Sequence, residues 1–453
     1  MISVRTRRLS VSWPGAWFAG ARALGWDRHD RQRRRGHGSR AATGSDGGAG
    51  VGAGAGHRPT PEQPDARTRA RPFGQFVVKM HSRCNLACRY CYLYAGPDHG
   101  WRDRPAVPAR ATLDRTAERI AEHAAHHRLS RVSLVLHGGE PLLAGTALLG
   151  HLTERTRALV PGACTVHPVV QTNATLLTEP RLRGLARHGI RVGVSLDGGL
   201  AAHNGARVDH AGRPSWPAAV RGLRLLAERR PALYAGVLSV VDLRTDPAEA
   251  YESLLALRPP ALDLLLPHGN WTAPPPGLPS DEAPYGDWLC TVFDLWWAGD
   301  GRATRIRLFE ECIALLLGAP AATESLGTQP FTSVVVETDG SIEQTDSLKS
   351  AYEGAAATGL DVFRHSFDEA LRHPGVAARQ SGTAALSEVC RGCSLVAVCG
   401  GGQYPHRYRR GHGFRNPSVF CADLQRLIRH AASRVGAAAA TAGSGTAVSG
   451  GGR

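Results

Sequence analysis

From about residue 73 the apolar residues alternate between two rhythms. QFVVKM, RVSLVLHGGEP, HPVVQTNA, IRVGVSLDGG, LYAGVLSVVD and ALDLLLPHG are short apolar or alternating runs, which predict strands. Between them DRTAERIAEHAAHH, LLGHLTERTRALV, EPRLRGLARHG, AAVRGLRLLAERR and AEAYESLLALR repeat apolar residues every three or four positions, which predicts helices. About six strand-then-helix units up to about 275 imply an α/β fold with a parallel sheet and right-handed crossovers, as an open or partial barrel. Such sheets place their functional residues beyond the carboxyl ends of the strands. After about 280 the rhythm changes. YGDWLCTVFDLWWAG and RIRLFEECIALLLG predict helices, and FTSVVVETDGSIEQTD predicts two strands around a tight turn at Asp339-Gly340. The pattern divides the chain into a barrel, 73–280, and a smaller α+β domain, 281–435. The flanking segments 1–72 and 436–453 are rich in Gly, Ala and, at the start, Arg. They lack apolar periodicity and are expected to be disordered.

Composition changes this picture little. The net charge is +15, but residues 1–72 hold fourteen Arg against five acidic residues. The excess is thus concentrated in the segment without a core, and nearly all of it is arginine; Lys79 and Lys349 are the only lysines. A solvated Arg-rich surface accounts for the charge, so no nucleic-acid partner is expected. No apolar run is long enough for a membrane span and no signal peptide is evident, which points to the cytoplasm. There, ten cysteines suit ligands better than disulfides.

Three of those cysteines crowd one stretch, CNLACRYCYLY. Cys84, Cys88 and Cys91 follow C-x3-C-x2-C. Zinc usually takes four ligands from two separated pairs. Three thiolates on one loop suit a [4Fe–4S] cubane with one iron left open to a small chelating ligand; a zinc knuckle or buried thiols are the other readings. The loop, following the first strand of a six-unit β/α domain, resembles the radical S-adenosylmethionine (SAM) superfamily, and Tyr90 matches the aromatic residue before its last cysteine. The resemblance implies a partial (β/α)6 radical SAM barrel. In it the amine and carboxylate of SAM chelate the open iron, and an electron cleaves SAM to a deoxyadenosyl radical. Gly138, Gly139 and Glu140 of GGEP resemble the motif that holds the SAM amine; alone, they would read as a turn. Ser195 of SLDG and Arg207 resemble ribose and carboxylate contacts of the sulfatase-maturase branch, with a surface salt bridge the other reading of Arg207. Asn173 of QTN is a further SAM-pocket candidate that otherwise caps a turn.

Cys390, Cys393, Cys399 and Cys421 resemble part of the SPASM domain of peptide-modifying radical SAM enzymes. That family usually carries two auxiliary clusters. Here two of the cysteines expected for the first are replaced, by Thr345 and Gln403, while the four that remain match the full set of the second. The resemblance therefore implies a small SPASM-like iron–sulfur domain with one auxiliary [4Fe–4S] cluster, zinc being the alternative. Cys164, Cys290 and Cys312 read as buried thiols. Asp346 stands where sulfatase maturases have a proposed proton acceptor; otherwise it ends a hairpin strand.

The runs KMHSRCNLACRYCYLY, LHGGEPLLAG, VETDGSIEQTDSLK and CGGGQYPHRY resemble FxsB-type peptide maturases most. That likeness implies a ribosomally made precursor peptide as substrate and a C–C cross-link between an aromatic ring and a nearby β-carbon, closing a three-residue cyclophane. It also implies an external electron donor such as a flavodoxin or ferredoxin. Formylglycine or thioether formation is the alternative enzyme reading, and a non-catalytic iron–sulfur or zinc protein the alternative of another class.

Overall fold

The computed structural model describes residues 70–299, 304–320 and 324–444. Six parallel strands follow the predicted runs: β1 (Gln75–His81), β2 (Arg131–Gly138), β3 (Thr165–Thr172), β4 (Arg191–Ser195), β5 (Tyr234–Val240) and β6 (Ala261–Leu265). Helices α1 (Arg110–His126), α2 (Thr146–Leu159), α3 (Glu179–Arg187), α4 (Trp216–Arg229) and α5 (Pro247–Leu255) connect them. Their apolar stripes explain the arrangement. Leu113, Ala117, Ile120 and Ala124 of α1, and Ala219, Val220, Leu223 and Leu226 of α4, recur at helical spacing and are buried. On β2, Val132, Leu134 and Leu136 join that core, while Ser133, Val135 and His137 on the other face stay partly exposed. The sheet thus has a sealed helical side and an accessible inner side. β1 and β6 do not pair, so the barrel stays open.

The chain then continues through α6 (Pro284–Ala298), β7 (Arg305–Ile306) and α7 (Arg307–Leu316). The expected hairpin forms as β8 (Ser333–Val336) and β9 (Ser341–Glu343), with Gly340 at φ 90° in the turn. β10 (Ala357–Asp361) pairs antiparallel to β9. The short helices α8 (Phe367–Leu371), α9 (Pro374–Gln380), α10 (Glu388–Arg391) and α11 (Val396–Cys399) precede a long α12 (Cys421–Ser444).

Two features go beyond the pattern. β8 lies parallel against β1, from Gln75↔Ser333 to Val78↔Val336, so one ten-stranded sheet in the order β10-β9-β8-β1-β2-β3-β4-β5-β6-β7 crosses the expected boundary at 280. One apolar cluster, from Phe73 to Ala431, does the same. The tail expected to be disordered from 436 instead continues α12 to Ser444, because GAAAATAG offers alanine, the best helix former, in four of its first five positions. Residues 1–69 and 445–453 lie outside the described residues. Among the described residues no helix is long and apolar enough to cross a membrane.

Candidate active site

The three-cysteine loop leaves β1 and is pinned at several points. Ser82 N–H donates to Ala106 O at 2.8 Å, Ala87 N–H to Val208 O at 2.7 Å and Arg89 N–H to Ala206 O at 2.9 Å. Arg83 reaches the carbonyls of Trp101 and Arg102 at 2.6 and 2.9 Å and lies over the Trp101 ring. Cys84 Sγ accepts from Leu86 N–H at 3.4 Å and from Asn173 Nδ2 at 3.8 Å. Burial pushes all three thiols up, Cys84 to about 12, while Lys79 and Arg207 pull Cys91 back and Arg207 does the same for Cys88. A thiolate-ligated cluster suits this loop: several donors and two cations face the sulfurs, and bound metal replaces the protons that burial would otherwise retain.

GGEP follows β2 and presses against the cysteine loop. A Cβ on Gly138, at φ 149°, would stand 2.3 Å from His81 O; one on Gly139 would stand 2.1 Å from Tyr94 Oη and 2.4 Å from Arg83 O. Glycine is needed at both positions so that the two strand exits can touch. Glu140 is fully buried. Its Oε1 accepts from Leu142 N–H (3.0 Å) and Thr172 Oγ1 (2.8 Å), and its Oε2 from Asn173 N–H (2.9 Å). Burial pushes its carboxyl up, and these bonds partly offset that. Glu140 therefore ties the exits of β2 and β3 together, a role that its sequence motif did not suggest. Asn173 continues the tie, donating to Asn85 Oδ1 at 2.9 Å within the cysteine loop and accepting from Thr175 N–H at 3.0 Å. Ser195, at the end of β4, accepts from Gln171 Nε2 at 2.9 Å.

Glu140→Gln is consequently more than a charge test. Its amide would place N–H groups against a backbone N–H, leaving a buried donor unpaired, and would weaken charge-assisted bonds. We expect a loss of about 2–4 kcal/mol before any ligand is added. A shift in the urea midpoint of the cluster-free protein measures it; an unchanged midpoint would return Glu140 to a role confined to SAM.

Tyr90 and Arg207 meet at one carboxylate that sequence reasoning missed. Arg207, 7% exposed, donates from Nη1 to Tyr90 Oη at 2.6 Å and lies 3.9 Å from Asp197 Oδ1, while Tyr90 Oη donates to Asp197 Oδ2. Arg207 is therefore part of a buried pair rather than a surface salt bridge. Burial pushes the Asp197 carboxyl up, and Arg207 opposes it. Asp197 is the aspartate of SLDG, so a signal was present beside Ser195.

Asp346 is buried just beyond β9, and its partners come from the barrel. Lys79 Nζ of β1 lies 2.6 Å from Oδ2, His137 Nδ1 of β2 lies 3.7 Å from it, and Lys349 Nζ lies 3.6 Å from Oδ1. Lys349 also pairs with Glu337, and with Glu343 at 2.8 Å. Arg104 reaches Glu337 at 3.0 Å and Glu343 at 2.6 Å. Three buried carboxylates thus face three cations. Burial opposes ionisation of Asp346, but Lys79 and Lys349 outweigh it and hold the carboxyl well below the usual range. Oδ1 is buried without a hydrogen-bond partner. Neither lysine was a sequence candidate, although their rarity was the available signal.

The four later cysteines also converge. Cys399 is influenced by Cys421 and Cys390, and Cys421 by Cys390 and Cys393. Burial pushes Cys399 to about 11, and Cys312 to about 12 next to Cys399 and Cys290. Gln403, in one expected cysteine position, donates to Ser325 Oγ at 3.4 Å. Among the described residues, the groups of three or more ligand atoms within 4.8 Å of one another are Glu337–Glu343–Asp346 and His123–His127–Asp368. Lysine already occupies the first. In the second, His123 Nε2 accepts from Phe73 N–H at 3.0 Å, so Nδ1 carries the proton it donates to Asp368 and offers no lone pair to a metal. Neither cysteine set is drawn that tight.

The Radical SAM superfamily profile matches residues 78–246. A serine-type anaerobic sulfatase-maturating enzyme from Klebsiella aerogenes is 25% identical over 350 residues, spanning 75% of this chain and 82% of that one. The solved structure of anSMEcpe with bound AdoMet superposes with a TM-score of 0.69 at 21% identity, covering 81% of this chain and 99% of the other. Streptococcus suis SuiB bound to precursor peptide SuiA gives 0.54 at 15% identity, covering 77% and 76%. Residues 78–246, which carry the cysteine loop and the β-strand exits gathered round it, thus form a radical SAM domain.

Proposed function

We propose that this enzyme modifies a ribosomally made precursor peptide by joining an aromatic ring to a nearby β-carbon, closing a three-residue cyclophane. The observation that carries a peptide-modifying reaction is the placement of Asp346: a carboxylate from beyond β9 is held ionised against β1 and β2, beside the cysteine loop. The cross-link itself rests on the likeness of the quoted motifs to FxsB-type maturases. Cys84, Cys88 and Cys91 would hold the radical SAM cluster, which together with SAM would supply the hydrogen-atom abstraction from the substrate. Glu140, Asn173, Ser195 and Arg207, with Gly138 and Gly139, form the rim around SAM, and Tyr90 helps to seat Arg207. Closing the ring removes a second hydrogen as a proton and an electron, and Asp346 takes the proton. An auxiliary cluster on Cys390, Cys393, Cys399 and Cys421 supplies an electron acceptor when bound, and an external flavodoxin or ferredoxin supplies reducing electrons. This reading keeps the chain in the cytoplasm, where thiols stay reduced.

Three thiolates on one loop suit a cubane with one iron left open, whereas zinc usually takes four ligands from two separated pairs. Anaerobically reconstituted protein is expected to bind about eight irons, falling to about four when Cys84, Cys88 and Cys91 become Ala. About twelve irons, or zinc at Cys390–Cys421, would overturn the assignment.

Formylglycine formation is the competing reading, favoured by the likeness to sulfatase-maturating enzymes. Oxidising a serine to formylglycine also removes two hydrogens, so mass alone does not separate the two. Coexpression with a candidate peptide should give a product two hydrogens lighter that resists fragmentation across three residues and does not react with a hydrazide. A hydrazide-reactive aldehyde would establish the competing reading.

A further inference from the structure

The structure also bears on where the proton goes after Asp346, a question that rests on the reading of Asp346 as proton acceptor. Basic residues number 54, and all but Lys79 and Lys349 are arginine. Both lysines are buried and both face Asp346. Lys349 is fully engaged by Glu337, Glu343 and Asp346, which hold its ammonium on against burial. Lys79 differs. It touches Asp346 at 2.6 Å and shares Glu337 with Lys349, but it alone of the two also meets an uncharged acceptor: Nζ lies 3.3 Å from His137 Nδ1. Charge alone does not call for lysine here, since an arginine would also neutralise Asp346. A guanidinium, however, does not give up a proton in proteins, whereas an ammonium can exchange one.

His137 suits the far end of such an exchange. It stands one residue before the end of β2 on the accessible inner side of the sheet, and 24% of its side chain is exposed. Burial pushes it down to about 4, so the ring is neutral near pH 7 and Nδ1 accepts from Lys79.

We propose that Lys79 and His137 form a proton relay that empties Asp346 after each turnover. When Asp346 becomes a carboxylic acid, the buried cluster has one uncompensated positive charge. Lys79 Nζ then passes one proton to His137 Nδ1 and takes the proton from Asp346 Oδ2. Asp346 returns to carboxylate, Lys79 to ammonium and His137 becomes an imidazolium. One proton moves and no electron does. His137, a weak base at its position, releases the proton through its exposed edge. The groups that face Asp346 are Lys79 from β1, His137 from β2, Lys349, Glu337 and Glu343 from the hairpin side, His268 beyond β6, and Tyr92 and Tyr94 of the cysteine loop.

The test measures cross-linked peptide per deoxyadenosine, the peptide KM and their pH profiles. His137→Gln keeps an acceptor for Lys79 but cannot hold the proton. Its product per deoxyadenosine should fall about tenfold with peptide KM unchanged. Lys79→Arg keeps the charge and should show the same loss. Wild-type coupling in either variant overturns the relay, and in Lys79→Arg it reduces Lys79 to a counter-ion. A loss in His137→Gln that is matched by an equal rise in KM overturns it too, making His137 a peptide contact. Asp346→Asn separates the two levels. Product at the wild-type level there removes the acceptor and the relay together, while loss there with full coupling in His137→Gln removes the relay alone.

Discussion

Asp346→Asn is expected to keep making deoxyadenosine while cross-linked peptide falls by about 10²–10⁴-fold, the range for a lost general base. The two outcomes separate because Asp346 touches none of the rim formed by Glu140, Asn173, Ser195 and Arg207; its partners are Lys79, His137 and Lys349. The substitution also removes one of three buried carboxylates facing three cations, so the folded state should lose stability as well, by about 3–5 kcal/mol. That cost is read in the urea midpoint and the chemical defect in the ratio of product to deoxyadenosine, both on protein with intact cluster absorbance. Product at the wild-type level would leave Asp346 as the end of a hairpin strand. Equal loss of deoxyadenosine and product would mean that Asp346 supports the SAM side of the site.

The second large effect is expected at Arg207. Arg207→Met should cost about 3–5 kcal/mol, because Asp197 stays buried without its cation and the Tyr90 hydroxyl loses its donor. The pH dependence has a definite sign. Burial already raises the Asp197 carboxyl above its ordinary value, and losing Arg207 raises it further. A carboxyl raised on folding weakens the folded state above its unfolded pKa, and the penalty shrinks as pH falls through the raised value and the group takes a proton. The gap between variant and wild-type urea midpoints should therefore narrow from about pH 8 to about pH 5. A gap that is constant or widens would mean that Arg207 acts chiefly through SAM or through packing.

The barrel was legible because its signals are local. Each strand is a short apolar run, each helix shows its stripe within two turns, and C-x3-C-x2-C and GGEP sit beside the strands that position them. The pairing of β8 with β1 was not legible, because some 250 residues separate them and neither strand carries a mark of its partner. β7, two residues long, and β10, interrupted by Gly359 at φ 75°, gave no period to detect. In the site, motif residues were found and their partners were not. Glu140 was assigned to SAM, but its bonds to Leu142, Thr172 and Asn173 depend on the third dimension. Asp197 and His137 each adjoin a quoted motif residue and were passed over. The two lysines were visible as a compositional oddity, and only their convergence on Asp346 gives that oddity a meaning.

The pairing of β8 with β1 sets a rule for making chimeras of this enzyme. The barrel strands and the hairpin that follows them are not cassettes to be exchanged at a linker. A crossover near 280 would strip the β1 edge of its neighbour, leaving unpaired N–H and C=O groups as a template for aggregation. It would also strand Lys79 opposite a foreign residue. Recombination with a relative should therefore inherit β1, β8, β9 and Asp346 from a single parent and exchange only an internal segment, with one junction after β4 and a second after β5, so that the inherited set stays whole.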